Sequence, residues 1–133
     1  MKRRVHKKYL TAAARFIADG CQLYASHPRS GPDEHKFEEL ARALLEMNLL
    51  IAFDHWSRHG PSHIRHASVV KVTLKDVERR PEHLLVAGSV RWSRRRASAD
   101  VESADRFRIE CPIVGGRCRR PTVVLEATGM GAT

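Results

Sequence analysis

The stretch that decides the fold is DEHKFEELARALLEMNLLIAFDHWSRH, residues 33–59, the longest patterned segment of the chain. Apolar side chains recur in it at spacings of three and four residues, which places them on one face of a helix: Phe37, Leu40, Leu44, Met47 and Ile51. Gly31-Pro32 before it and Gly60-Pro61 after it are typical of a helix start and stop. We predict one helix with this stripe in the core and Leu44 buried at its middle.

The run Leu49–Phe53 leaves one alternative inside this segment. Short apolar runs fit a buried strand as well as a buried helix, so the helix could instead end at Asn48. Before it, a first helix is predicted from about Val5 to Ser26, with one apolar stripe: Leu10, Ala13, Ile17, Cys21 and Tyr24. The connector 27–32 contains two prolines and a glycine, and it is short enough to keep the helices adjacent and antiparallel.

After residue 66 the hydrophobic period changes from helical to two, which is typical of strands. Strands are predicted around 70–75, 84–92, 107–111 and 122–127, with a polar connector over 93–105. Gly115-Gly116 indicates a hairpin, and Gly88 indicates a bulge or a close backbone approach. The inward face of this sheet is expected to carry Val70, Val72, Val86, Val90, Phe107 and Ile109. The outward face is expected to be basic and to carry Lys71, Lys75, Arg91, Arg106 and Arg108.

Helices first and strands afterwards predict an α+β fold. Two N-terminal helices would pack on one face of a roughly four-stranded, antiparallel, meander-like sheet. The single domain 1–133 would comprise a basic arm (1–8), a helical part (9–59), the sheet (67–128) and a frayed tail (129–133). This order is similar to the helix-lined, curved sheet of nuclear-transport-factor-2-like proteins, and no motif in the chain assigns it to a family.

Charge and cysteine content narrow the class of protein. The chain has 24 Lys+Arg against 15 Asp+Glu, a formal net charge of +9, which favours an anionic partner.

Its 3 cysteines are odd in number and far apart, so no secreted disulfide framework is indicated. There is no run of roughly 20 apolar residues that would span a membrane. We therefore expect a cytoplasmic protein with no membrane association and no cofactor.

Three basic clusters are the candidate nucleic-acid-binding sites. They lie at the N-terminus, after the second predicted strand and after the diglycine: Lys2, Arg3, Arg4, Lys7 and Lys8; Arg91, Arg94, Arg95 and Arg96; Arg117, Arg119 and Arg120. Arginine forms bidentate contacts with phosphate, and loops commonly present binding groups. Aromatic residues make up only 6% of the chain, so the pattern predicts binding to RNA, DNA or a ribonucleoprotein without base recognition.

The histidines and cysteines allow two less favoured chemistries. His55 and His59 stand four residues apart, and His63 and His66 follow closely, a spacing that could hold a metal; the glutamate of an HExxH site is absent. A metal-free nuclease could use His55 and His59 with Arg58. A structural zinc could combine His63 and His66 with Cys111 and Cys118. We expect no bound metal and no catalytic residue, and a polar helix end instead.

The charges of the segment 33–58 support a different class of function. It carries six acids against three bases: Asp33, Glu34, Glu38, Glu39, Glu46 and Asp54; Lys36, Arg42 and Arg58. Such segregated charge is typical of a protein that docks on another protein. The alternative function is therefore a protein–protein interaction module, such as an inhibitor, an assembly chaperone or an accessory subunit. The oligomeric state is left open.

Overall fold

The computed structural model describes residues 2–27, 33–60 and 62–127, with side chains from residue 12 onward. The predicted tail and most of the predicted connector 27–32 lie outside the described residues. Two helices are followed by an antiparallel sheet, which confirms the α+β class. No helix within the described ranges is long and apolar enough to cross a membrane.

The two helices form an antiparallel pair. Helix α1 spans Lys2–Ser26 and helix α2 spans Glu34–His59. Three contacts join them in opposite directions along the chain: Phe16 with His55, Gly20 with Leu45, and Tyr24 with Glu38. The run Leu49–Phe53 is helical, so the strand alternative is excluded. Helix α1 begins at Lys2, earlier than the predicted Val5, so the basic residues 2–8 form its first turns.

The buried face of α2 differs from the predicted one. Phe37 is 43% exposed, Leu40 53%, Met47 57% and Ile51 39%, and Leu44 is only half-buried. The side chains that pack against α1 and the sheet form a second stripe: Ala41, Leu45, Leu49, Ala52, Phe53 and Trp56. Both stripes have helical spacing. The second one is buried because it meets both neighbours: Leu45 packs against Gly20 of α1, and Phe53 contacts Trp92 and Phe107 of the sheet.

The stripe predicted for α1 is correct where its side chains are described. Ala13, Ile17, Cys21 and Tyr24 are all buried, with at most 3% of each exposed. Gly20 lies on the same side, where an added Cβ would meet Leu45 Cδ1 at 2.9 Å. The glycine therefore permits the close approach of the helices, and this offsets its weak helix propensity.

The sheet follows a short 3-10 helix, Ser62–Ile64. Its strands are β1 (Ser68–Arg80), β2 (His83–Arg96), β3 (Ala99–Val114), β4 (Arg117–Cys118) and β5 (Thr122–Ala127). The first three form an antiparallel meander, and both β4 and β5 pair with β3. Gly115 and Gly116 form the two-residue β3–β4 turn with φ values of 60° and 77°. Positive φ at both positions is what such a turn requires of its residues.

Residues 93–105 are strand rather than connector. The β2–β3 ladder continues without a register shift as far as Arg96 opposite Ala99, leaving a turn at residues 97–98. Most side chains in this outer part of the hairpin are polar or exposed, so the alternation that reveals a strand is lacking. Backbone hydrogen bonds between β2 and β3 therefore extend both strands beyond the apolar part that the sequence pattern reveals.

The core lies between the helices and the inward face of the sheet. Phe53 contacts Trp56, Trp92 and Phe107, with ring centroids 5.4–5.8 Å apart. Five of the six residues predicted for this face are buried, and Val70 is 44% exposed. A register shift between Val69 and Lys71 makes Val70 the extra residue of a bulge, which removes it from the alternation. A Cβ at Gly88 would clash with the Thr73 carbonyl, which confirms the predicted close approach.

Candidate anion-binding surface

The outward face of the sheet carries a shallow basic groove of about 520 Å³. Strands β1, β2 and β3 contribute its lining, which we call the outer-sheet groove: Lys71, Thr73, Lys75, Ser89, Val90, Arg91, Ala104 and Arg106. Side chains alternate between the two faces along β1 and β2, so every second one points into the core and the ones between them line the groove. The groove therefore has four cationic side chains around a floor of small residues.

Cross-strand register brings two of these cations together. Lys71 lies opposite Arg91 on β2, and Arg91 lies opposite Ala104 on β3. Next along the strands, Thr73 pairs with Ser89, and Ser89 pairs with Arg106. Like charges directly opposite one another destabilise an antiparallel pair. The Lys71–Arg91 pair therefore has an electrostatic cost that a bound anion would remove.

Neighbouring carboxylates neutralise the groove only in part. Glu102 lies 3.9 Å from Arg91, and Glu126 lies 3.8 Å from Arg106, both long distances between exposed groups. Such surface pairs are weak and are screened by salt. Among the described side chains, Lys71 and Lys75 form no ion pair at all. The groove consequently retains a net positive charge.

The predicted arginine clusters do not converge on one site. Arg94, Arg95 and Arg96 lie at the end of β2 that pairs with Ala99, whereas Arg117 pairs with Val114 at the opposite end of β3. Strand β3 has 16 residues, which is about 50 Å of extended chain. Arg119 and Arg120 follow β4 and are exposed. Of the predicted arginines whose side chains are described, only Arg91 lines the groove. The side chains of Lys2, Arg3, Arg4, Lys7 and Lys8 lie outside the described part.

Arg94 has a structural role. Its Nη2 donates hydrogen bonds to the carbonyl oxygens of His63, at 3.0 Å, and Arg65, at 2.6 Å. These contacts hold the segment around the 3-10 helix against strand β2. Arg95 and Arg96, in contrast, are exposed. A charge cluster in the sequence therefore contains one structural arginine and two solvent-facing ones, a difference that only the tertiary contacts reveal.

Lys71, Lys75 and Arg106 belong to the groove although they lie outside the three predicted clusters. The alternation Lys71-Val72-Thr73-Leu74-Lys75 already predicted a basic outward face. The predicted outward face already included Arg106, but only the strand register shows which residues lie beside it, since Arg106 pairs with Ser89 of β2. Thr73 and Ser89, which make the floor, are unremarkable in the sequence for the same reason.

The four clustered histidines occupy different environments. The ring of His55 stacks on Phe16 at 5.7 Å and lies 6.2 Å from that of His59. His63 Nε2 lies 3.1 Å from Oδ2 of Asp105, and His66 is exposed in a left-handed conformation with φ of 68°. Among the described residues, no group of three or more His, Cys, Asp or Glu side chains is arranged to hold a metal ion.

Asp105 is a buried acid that sequence reasoning did not single out. It is 3% exposed, and its Oδ2 accepts a hydrogen bond from Trp92 Nε1 at 3.2 Å besides facing His63. These two partners offset the desolvation of the carboxylate. Asp105 of β3 thus contacts Trp92 of β2 and His63 of the segment after α2, and these contacts indicate a structural role.

The three thiols form a cluster without a disulfide. The hydrogen bond from Cys118 lowers the pKa of Cys111, but the hydrogen bond between Cys111 and Cys21 and the burial of Cys111 raise it more, so that the pKa is about 12. The hydrogen bond with Cys111, followed by burial, also raises the pKa of Cys118. A thiol with a raised pKa is a poor nucleophile at neutral pH. Cys111 and Cys118 are hydrogen-bonded across the β3–β4 turn, and among the described residues no histidine is arranged to hold a metal with them.

Neither the models of known protein families nor the curated proteins compared with this chain match its sequence.

Proposed function

We propose that this protein binds nucleic acid, free or within a ribonucleoprotein, by placing the phosphate backbone in the outer-sheet groove. The observation that carries the proposal is the Lys71–Arg91 pair, two like charges opposite each other above a floor of small side chains. Phosphate oxygens would relieve their repulsion and accept hydrogen bonds from both. Thr73 and Ser89 add hydroxyl groups at the same level of the sheet.

The groove favours recognition of the backbone over recognition of bases. On the described outward face of the sheet there is no Phe, Tyr or Trp, because Trp92 and Phe107 point into the core. Base stacking on a sheet needs such rings. Binding through the groove is therefore sequence-independent and strongly salt-dependent. We place this activity in the cytoplasm, because an odd number of cysteines indicates no secreted disulfide framework.

The test is a fluorescence-anisotropy titration with duplex DNA, single-stranded DNA and structured RNA at several salt concentrations. The double variant Lys71→Gln/Lys75→Gln removes two exposed charges from the groove without touching the core. We expect it to weaken binding to all sequences of the preferred nucleic acid equally. For duplex DNA, it should flatten the slope of log affinity against log salt by up to about 1.8 units.

The matched control is Arg95→Gln/Arg96→Gln, which removes the same charge from the end of the hairpin, outside the groove. It should have the smaller effect on affinity and slope. Equal effects of the two variants would show a diffuse electrostatic attraction rather than a groove. If none of the three nucleic acids bound measurably to the wild-type protein at about 150 mM salt, the proposal would be wrong.

A further inference from the structure

Helix α2 exposes a second apolar face to solvent. Leu40 is 53% exposed, Met47 57% and Leu50 40%, although Leu45 and Leu49 of the same helix are fully buried. Phe37 and Ile51 beside them are 43% and 39% exposed. Single exposed apolar residues are ordinary on a protein surface, but a continuous patch of them marks an interaction site.

These residues follow the spacing of a helix–helix interface. Successive positions along the exposed face are separated alternately by four and three residues, and we call this set the α2 seam: Lys36, Leu40, Ala43, Met47, Leu50 and Asp54. That 4-3-4-3-4 pattern is the a/d repeat by which two helices pack side by side. From Lys36 to Asp54 the seam is about 27 Å long at 1.5 Å per residue. It begins with a base and ends with an acid.

The seam is complementary to itself when reversed. In an antiparallel pair centred at position 45, Leu40 of one helix faces Leu50 of the other. Ala43 faces Met47, a small side chain opposite a large one, and Lys36 faces Asp54. Each of these layers joins an a position to a d position, as antiparallel helix pairs require. A parallel pair would instead place Lys36 on Lys36 and Asp54 on Asp54, with two repulsive ends.

We infer that the partner covering this face is a second copy of the same chain. The two copies form a two-fold symmetric dimer in which the α2 seams pack antiparallel. A second copy is the partner we infer because the order of charges and side-chain sizes along the seam is the same when reversed. A two-fold symmetric interface requires one patch that complements itself in this way. Arg58 lies 3.0 Å from Asp54 in its own helix, so Lys36 of the second copy would join an existing ion pair at this end of the seam.

Sedimentation velocity over protein concentrations from about 1 to about 300 µM tests the inference. The wild-type chain should show concentration-dependent formation of a species with twice the monomer mass. Met47→Glu should remain monomeric throughout, because it places an acid at the centre of both seams. Since Met47 is exposed in the monomer, the thermal unfolding of this variant at low concentration should match the wild type. Association should also persist at salt concentrations that abolish nucleic-acid binding, because the seam is largely apolar.

Reciprocal charge exchange identifies the orientation. Lys36→Glu and Asp54→Lys should each raise the dissociation constant of the dimer at least about tenfold. This is a loss of about 1.4 kcal/mol, divided between the two Lys36–Asp54 contacts of the symmetric dimer. The double variant Lys36→Glu/Asp54→Lys should recover wild-type association, because each exchanged residue again faces an opposite charge. Absence of recovery would exclude the antiparallel pair. A wild-type chain that stayed monomeric over the whole range would exclude the second copy and assign the face to a different protein.

Discussion

At the scale of single residues, the buried thiol of Cys111 makes the free energy of unfolding depend on pH. The pKa of Cys111 is raised from 9.0 to about 12 in the folded protein. Above pH 9 the unfolded chain therefore releases a proton that the folded chain retains. The stabilisation from this thiol is complete below pH 9 and is lost as the pH rises toward 12.

We expect the urea midpoint of the wild-type protein to fall between pH 8 and about pH 10.5, as this linkage requires. Cys111→Ala should show a shallower fall, although it is less stable at every pH because it leaves a cavity. Comparison with the variant is needed because the pKa of Tyr24 is also raised, chiefly by burial and by its hydrogen bond to Glu38. Identical pH profiles for the two proteins would contradict the prediction.

Two residues on opposite sides of α2 test which of its faces is in the core. Leu49 is fully buried, whereas Met47 is 57% exposed. Leu49→Ala should lower the free energy of unfolding by about 2–5 kcal/mol, because it leaves a cavity. Met47→Ala should change it by about 0.5 kcal/mol or less. Chemical denaturation at low protein concentration measures both, and a reversed order would mean that the helix is rotated about its axis.

At the scale of elements, Arg94 joins strand β2 to the segment that follows α2. Arg94→Gln removes a charged donor from the carbonyl groups of His63 and Arg65, so we expect a loss of about 1–2 kcal/mol in the free energy of unfolding. Hydrogen exchange should become faster at the amides of residues 65–67. Arg95→Gln is the matched control, since it removes the same charge from an exposed position. A stability equal to that of the control would show that the two hydrogen bonds contribute nothing.

Helix α2 illustrates how one element acquires two roles. Its core face packs on α1 and on the sheet, and the α2 seam lies on the remaining side. Acids near its start and Arg58 and His59 at its end suit the helix dipole as well as an antiparallel partner. The proposed dimer would use two of the segregated charges from which a docking protein was predicted, Lys36 and Asp54, at the ends of the α2 seam.

At the scale of the whole molecule, helices and sheet form two layers with different surfaces. The sheet layer presents the basic outer-sheet groove, and the helix layer presents the apolar α2 seam. Because one surface is electrostatic and the other largely apolar, salt should weaken binding at the groove while leaving the seam intact. The two proposals can therefore be tested separately on the same protein.

Local sequence determined the class of the fold. The change from helical period to period two, the diglycine turn and the helix stop at Gly60 are all encoded by neighbouring residues, and the structure confirms each of them. The basic outward face also followed from alternation in β1. These features depend on backbone preferences and on side-chain periodicity, which a single segment expresses by itself.

Only the tertiary structure decided which face of α2 is buried, because both of its stripes have helical spacing and the choice depends on the shapes of α1 and the sheet. It likewise decided that Arg94 is structural and that Lys71, Arg91 and Arg106 share one groove. The physical reason is common to all three cases. Strand register and helix packing join residues far apart in the chain, and the energies that select them belong to the assembled core rather than to any one segment.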